Sequence, residues 1–418
     1  MSKPEVASFL YNPAMRILLM NMYFPPDTSA TAKMALWVAE TLSTRHEVTI
    51  LCGRPSYDPT ERRQWHFWQT ERLGRLRVIR VGSTDYGRFQ MRRRVVNYLS
   101  YVALAGPRAL FIPCDVVLAM TDPPFQGIVS AFVAMLKRKP FLYNIRDLYP
   151  DMAVGGALVP PGKLARVWEA LHRSALQRAA CVVVLGDDMR EGIVAKGVDP
   201  ARVVVVRDGV ELPAAGAQSP EIDDDVVRAI RGDARFVLVH AGNLGFYGAW
   251  ETLIAGAKKL AGDGVRLVFV GDGAQRSRVE ALAQGAPNIA FLPFFPGSKV
   301  PSVLAAADAH LITIKRGLEG VVVPSKLYGI LAAGKPIVAV APAETDVATL
   351  GARQGFAVRC DPDVPDQLVM AVRLLLQDES QRQRMGRAAL EAAPGYDRAG
   401  EAAKFERIVA GLAPSGGS

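Results

Sequence analysis

The residues best placed to do chemistry lie between Arg316 and Pro336, in the run Arg-Gly-Leu-Glu-Gly-Val-Val-Val-Pro-Ser-Lys-Leu-Tyr-Gly-Ile-Leu-Ala-Ala-Gly-Lys-Pro. Pro324 and Ser325 read as the opening of a helix, whose free N–H groups and positive dipole end favour an anion. Lys326 in the first turn opposes that dipole, a cost that a bound phosphate would offset. Glu319 puts a carboxylate in the glycine-flanked loop just upstream. The competing reading is a solvent loop with a surface lysine. A second anion candidate is His240-Ala-Gly-Asn-Leu-Gly-Phe-Tyr-Gly-Ala249, where Gly242, Gly245 and Gly248 relieve crowding at a strand-to-helix corner. The same triad also serves as plain turn chemistry, and Gly271-Asp-Gly273 reads as a turn. Arg146 and Asp147 stand side by side at the end of an apolar run, either as cleft residues or as an internal ion pair. The loop from Tyr23 to Ala32 contains no glycine, which argues against nicotinamide or flavin binding by a G-x-G-x-x-G turn. Its small residues Thr28, Ser29, Ala30 and Thr31 allow backbone amides to face an anion. Alternatively, Asp27 or Thr28 is simply a helix N-cap.

The elements that must position these residues alternate regularly. Short aliphatic runs without polar alternation begin at Arg16, Glu47, Leu76, Asp115, Phe141, Cys181 and Val203, and are separated by helical patterns such as Ala32 to Ser43. Buried strands alternating with helices imply a parallel sheet covered on both faces. Pro213 to Asp225 reads as a linker, and a second series of the same kind follows, with runs at Phe236, Arg266, Ile289, Ala309, Pro336 and Phe356. The expected fold is α/β, two Rossmann-like doubly wound parallel-sheet domains facing a cleft at the carboxyl ends of their strands. The expected divisions are 1–207, 208–395, and a C-terminal helix and tail over 396–418 able to pack on either domain.

Composition bounds the function classes. The 418 residues are 50% apolar with a mean hydropathy of +0.13, which excludes a disordered chain. The formal charge is +9. It is confined to the first half, where residues 1–204 hold 27 Lys+Arg against 17 Asp+Glu, while the remainder holds 23 against 24. Ten of those bases, including Arg62, Arg63, Arg88 and Arg92 to Arg94, fall within residues 61–94. Such a stretch attracts nucleic acid or anionic lipid, or is a solvated face. Cys52, Cys114, Cys181 and Cys360 are widely spaced, so a reducing compartment is expected. No signal peptide or transmembrane span is read, and a cytoplasmic location is expected.

With these residues in hand, the sequence resembles a retaining glycosyltransferase of the GT-B fold in the group-1 (family 4) class. More narrowly, it resembles the bacterial surface-polysaccharide branch typified by L-fucosamine (N-acetylfucosaminyl) transferases. The resemblance is carried from Met15 to about Leu412 by Tyr23-Phe-Pro-Pro26, Arg146-Asp-Leu-Tyr-Pro150, Asp208-Gly-Val210, Ala241-Gly-Asn-Leu-Gly245, Val270-Gly-Asp-Gly273, Ala305-Ala-Ala-Asp308 and Pro324-Ser-Lys-Leu-Tyr328 through Ala332-Ala-Gly-Lys-Pro336. It implies transfer of a sugar from a nucleotide donor, UDP-linked, with retained anomeric configuration, no metal and no cofactor. The resemblance assigns catalysis to Glu319, Lys326, Arg146 and Asp147. The donor would be held by Gly242, Asn243, Gly245, Phe294 near the base, Arg316, Pro324, Ser325 and Leu327, with Ser29 and Ala30 contributed by the first domain. The acceptor, a saccharide on a polyprenyl diphosphate or other lipid, would bind the first domain. No general base is named, because the leaving phosphate can itself take the acceptor's proton.

Three departures from the class stand out. Gly329 stands where a ribose-binding glutamate is usual, five residues before the Ala-Gly corner. Asn243 and Tyr247 fall near the usual arginine and lysine of the loop. Arg146 replaces a histidine that contacts the sugar's 6-hydroxyl, which suits a 6-deoxy amino sugar. Residues 61–112, with Arg62-Arg-Gln-Trp-His-Phe-Trp68 and the apolar helix Val95 to Leu104 behind Arg92 to Arg94, have the pattern of a surface lying on an anionic leaflet. The same helix would also serve as ordinary core. The reading is therefore a peripheral membrane enzyme on the inner face of the cell membrane. A soluble enzyme on a small acceptor and a catalytically silent binding protein are its rivals. Nucleic-acid binding is disfavoured by the absence of a recognisable module.

Overall fold

The computed structural model describes residues 15–55, 66–86, 91–213, 216 and 220–413. Arg62, Arg63, Trp65 and Arg88, part of the expected membrane surface, and the tail from Pro414 lie outside the described residues. Fourteen strands are described: β1 (Arg16–Met20), β2 (Glu47–Cys52), β3 (Trp68–Leu73), β4 (Leu76–Val81), β5 (Val116–Ala119), β6 (Phe141–Asn144), β7 (Cys181–Val184), β8 (Val203–Val205), β9 (Phe236–Ala241), β10 (Val265–Val270), β11 (Ile289–Leu292), β12 (Ala309–Thr313), β13 (Ile337–Val340) and β14 (Ala357–Cys360). They form two sheets, ordered β3-β4-β2-β1-β5-β6-β7-β8 and β11-β10-β9-β12-β13-β14.

The pairings follow from sequence. Ile17 to Met20 and Val116 to Ala119 are almost wholly buried and run in parallel register, Ile17 opposite Val116. In the second sheet Val237 to Val239 sit against Arg266 to Val268, again parallel. Side chains without polar alternation are what a sheet covered on both faces demands. Burying each Leu, Ile, Val or Phe contributes roughly 1.5–3 kcal/mol. The second core includes Phe269 stacked on Phe291 with centroids 5.0 Å apart.

Three expectations need correction. The first sheet is not purely parallel: β3 runs antiparallel to β4, with Trp68 opposite Val81. This edge strand, Trp-Gln-Thr-Glu-Arg-Leu, is largely exposed, so it carries no burial signal, and Glu71 serves instead to hold the buried Arg80 at 2.7 Å. The apolar helix expected over Val95 to Leu104 extends over Met91–Leu110. It is both things the sequence allowed: Tyr98, Tyr101, Ala105 and Ala109 are buried at helical spacing, whereas Val95, Val96 and Leu99 are exposed. The linker stops short of Asp225, because Asp223 caps the helix Asp224–Arg231 by accepting from the N–H groups of Asp225 and Val226.

The chain divides into two compact units: residues 1–144, 171–183 and 402–418, and residues 145–170 and 184–401. In the first, the Thr44 hydroxyl donates to Glu406 at 2.9 Å. The second contains Arg146, Asp147 and every candidate site residue from Gly242 to Leu327, whereas Ser29, Ala30 and the described part of the basic stretch lie in the first.

Candidate functional site

In the second unit the site is built where β9 and β10 end. Gly242, with φ +140°, turns the chain out of β9, and a Cβ there would meet the Lys326 side chain at 3.3 Å from Nζ and 3.4 Å from Cε. A neighbouring glycine, Gly271 (φ +145°), packs even closer: its Cβ would meet the Gly242 carbonyl oxygen at 2.0 Å and the Phe294 ring at 3.2 Å. The loops are stitched together by the Gly242 N–H donating to the Val270 carbonyl at 2.8 Å and the Leu244 N–H donating to that of Asp272 at 2.9 Å. Gly271-Asp-Gly273, read from sequence as a turn, is thus also the wall against which the Gly242–Leu244 turn packs. Phe294 stands beside it with 58% of its surface exposed.

Lys326 begins the short helix Lys326–Ala332, with Ser325 at the N-cap position making no side-chain cap bond. The Lys326 Nζ lies 3.0 Å from His240 Nε2 and 3.2 Å from Nδ1. No carboxylate among the described residues forms an ion pair with it. Burial pushes its ammonium down to about 7. His240 at the end of β9 is fully buried. Burial first, then the Lys326 charge, lowers its pKa well below the usual range, so it is neutral.

The other expected site residues are distributed as follows. Glu319 is half-buried and accepts from the Gly317 N–H at 3.1 Å. The backbone of Asp147 pairs antiparallel with Val322, and the Leu148 N–H donates to the Val321 carbonyl at 3.0 Å, so the Arg146–Leu148 segment runs beside the loop that carries Glu319. Leu327 is buried, Pro324 half-buried and Ser325 exposed. Asn243 is exposed, its carbonyl accepting from the Tyr247 hydroxyl at 2.6 Å. Gly245 offers its carbonyl to the Trp250 indole N–H at 2.8 Å. Arg316, by contrast, is paired with Asp363 at 2.6 Å and Asp361 at 2.8 Å, and these carboxylates raise its pKa further. The Arg146 guanidinium donates to Asp208 Oδ2 at 2.6 Å, and both side chains are nearly buried. The ion-pair reading of Arg146 is therefore the one its geometry supports. Ser29 and Ala30 belong to the first unit. The Ser29 hydroxyl oxygen accepts from the Ala32 N–H at 3.1 Å, which makes Ser29 the N-cap in place of Asp27 or Thr28. The backbone there is extended at Ser29, φ −63° and ψ 153°, as a cap requires.

Sequence reasoning missed His240 as a site residue although it begins the quoted glycine loop, because only folding brings it to a lysine 86 residues away. It also missed the cluster in which Arg207 bridges Asp187 at 2.8 Å and Asp346 at 3.3 Å.

Residues 29–209 match the family described as Glycosyl transferase 4-like domain, and residues 224–392 match Glycosyl transferases group 1. The chain belongs to the group-1 glycosyltransferases. Among related sequences, WcaI of Escherichia coli K12, named for colanic acid biosynthesis, is 26% identical over 384 residues, covering 87% of this chain and 92% of its own. The Pseudomonas aeruginosa glycosyltransferase WbjE is 24% identical over 261 residues, 62% of this chain and 65% of its own. Among solved structures, sucrose-phosphate synthase of Thermosynechococcus elongatus superposes with a TM-score of 0.72 at 16% identity, over 95% of this chain and 99% of its own. Anabaena HepE in complex with UDP superposes with a TM-score of 0.65 at 15% identity, over 95% and 100%. These neighbours share the GT-B fold of two Rossmann-like parallel-sheet domains. In this glycosyltransferase the second-sheet corner offers an ammonium that pairs with no carboxylate among the described residues, with an exposed aromatic ring against the neighbouring glycine loop. Such an arrangement can hold a diphosphate and a base.

Proposed function

We propose that this glycosyltransferase moves a sugar from a UDP-linked donor to a lipid-linked saccharide in bacterial cell-surface polysaccharide or lipopolysaccharide biosynthesis, with retention of anomeric configuration and without a metal ion. The single observation that carries the donor half is Lys326: a half-buried ammonium pushed down to about 7, beside a glycine loop, with no carboxylate paired to it. A cation held so is stabilised when a diphosphate arrives, and the stabilisation grows as leaving-group charge develops on the phosphate. Phe294 would supply a face for the base, and Glu319 and Asp147, on segments that run side by side, would serve the donor sugar. The polysaccharide setting is supported by the name of WcaI, which refers to colanic acid biosynthesis.

The lipid-linked acceptor is supported by the surface of the first unit. Exposed Val95, Val96, Leu99 and Phe111 accompany Arg93, Arg94 and Arg108 along and beyond the helix Met91–Leu110. No helix among the described residues is long and apolar enough to cross a membrane, so attachment would be peripheral, on the cytoplasmic face. The proposal for a 6-deoxy amino sugar loses its argument from Arg146, whose guanidinium is turned to Asp208. The donor sugar is decided by incubating the enzyme with radiolabelled UDP-glucose, UDP-N-acetylglucosamine and a 6-deoxy counterpart, with membrane lipid extract and EDTA. Label in the organic phase from one donor, unaffected by EDTA, supports the reading. Label transferred only to water-soluble acceptors favours the soluble rival.

A further inference from the structure

Two basic side chains meet at the end of β9 with no acidic residue between them. The Lys326 Nζ lies 3.0 and 3.2 Å from the two ring nitrogens of His240, one of which a neutral imidazole offers as an acceptor. The imidazole is held edge-on to Trp250 with centroids 5.2 Å apart and tilted against Phe269 at 5.8 Å, so it has no room to rotate away. Gly242 leaves the space through which Lys326 reaches it, with the Lys326 Nζ 3.3 Å from where a Cβ would stand. Resting on the donor-site reading above, we propose that His240 is the positioning residue for the donor diphosphate. As a neutral acceptor it holds Lys326 in place, the pair carries at most one positive charge, and diphosphate binding draws in the proton that supplies it.

The groups around the pair leave it no other source of charge balance. From β9 comes His240 itself, whose backbone hydrogen bonds to Asn243 and Leu311 favour a proton but are outweighed by burial and by Lys326. On β12 stands His310, also buried, with its Nε2 3.1 Å from the Leu304 carbonyl and its pKa lowered to about 4, first by burial. Lys335, beyond it, is turned to the carbonyls of Ala305 and Ala307 at 2.8 Å each. None of these is an anion. Two cations at 3.0 Å cannot both persist in a site with little water, so one proton is missing until an anion enters. A diphosphate supplies that anion, while the imidazole keeps Nζ directed at its oxygens. Binding and protonation are thereby linked.

The test is calorimetric titration of the full-length protein at pH 8, where UDP is fully ionised, in two buffers that differ in ionisation enthalpy. Wild type is expected to take up close to one proton per UDP bound, since a group titrating at about 7 is mostly deprotonated at that pH. Lys326→Met is expected to take up none. His240→Phe, which removes the acceptor, is expected to weaken UDP binding by about ten-fold, and His240→Gln, which restores one, to stay within about three-fold of wild type. UDP binding by wild type without proton uptake overturns the proposal, as does His240→Phe binding as tightly as wild type. Should His240→Phe fail to fold, the wild-type and Lys326→Met proton counts still decide. Failure of wild type to bind UDP, GDP or dTDP brings down the donor-site reading itself, whereas binding without proton linkage brings down only the role of His240.

Discussion

The two sheets each send a strand into a helix at an equivalent corner, after β1 and after β9, and the two corners are spent differently. After β1 the loop turns its polar groups inward on itself: the Asn21 side-chain amide donates to the Tyr23 carbonyl at 2.7 Å, and Ser29 caps the helix Ala30–Ser43. Arg80 reaches in from β4 to the Pro25 carbonyl. After β9 the loop is glycine-rich, packs against a second glycine loop, and leaves an ammonium beside a neutral imidazole. The same local topology thus serves stability in one unit and leaves an anion-ready site in the other. The difference is set by which side chains the neighbouring strands and helices bring in.

The largest effect expected is from closing the second corner. Gly271→Ala places a methyl group 2.0 Å from the Gly242 carbonyl at a left-handed φ, so neither backbone can give way. A loss of at least about 4 kcal/mol in unfolding free energy by denaturant titration is expected. A native-like midpoint would mean that the two loops are not interlocked as described.

Next is the Arg146–Asp208 pair. Arg146→Met leaves Asp208 buried without its cation and is expected to cost about 4 kcal/mol, largely recovered in Arg146→Met/Asp208→Leu. Recovered stability with unchanged UDP affinity fits an ion pair that supports the site from outside. Loss of UDP binding in the stable double variant would return Arg146 to the donor.

A third corner, after β7, sharpens the comparison by pH. Burial raises Asp188 from 3.8 to about 6, against the opposing N–H that Asp346 donates to it at 3.0 Å. The folded protein therefore keeps a proton that the unfolded chain has released between those values, so stability falls as pH rises through that window and levels off above it. Relative to Asp188→Asn, wild type is expected to be about 2.5 kcal/mol more stable at pH 4 than at pH 7, measured by denaturant melts. No difference in the two pH profiles would place Asp188 in a wetter environment than its burial indicates. The smallest effect is at the first corner: Ser29→Ala is expected to cost about 1 kcal/mol of stability and to leave UDP affinity unchanged.

The legible and the illegible parts of the sequence divide along the same lines. Runs such as Leu18-Leu19-Met20 and Val237-Leu238-Val239 announce parallel strands because both faces are buried. Trp68–Leu73 is silent because neither face is. Lys326 is legible because a lysine in a first helical turn is locally unfavourable and asks for a reason. What a side chain does once folded is hidden by sequence distance: Arg316 meets Asp361, and Arg146 meets Asp208 62 residues away. Both arginines read as donor contacts until the fold supplies carboxylates. His240 reads as a strand end until the fold supplies Lys326.

The central claim, that the second-sheet corner binds the donor diphosphate through Lys326, is tested most directly by calorimetric titration of UDP into wild type, Lys326→Ala and Glu319→Ala. Binding by wild type, at least about 100-fold weaker binding by Lys326→Ala, and near-wild-type binding by Glu319→Ala, whose carboxylate is proposed to serve the sugar, are expected. Unchanged UDP affinity in a folded Lys326→Ala protein would contradict it.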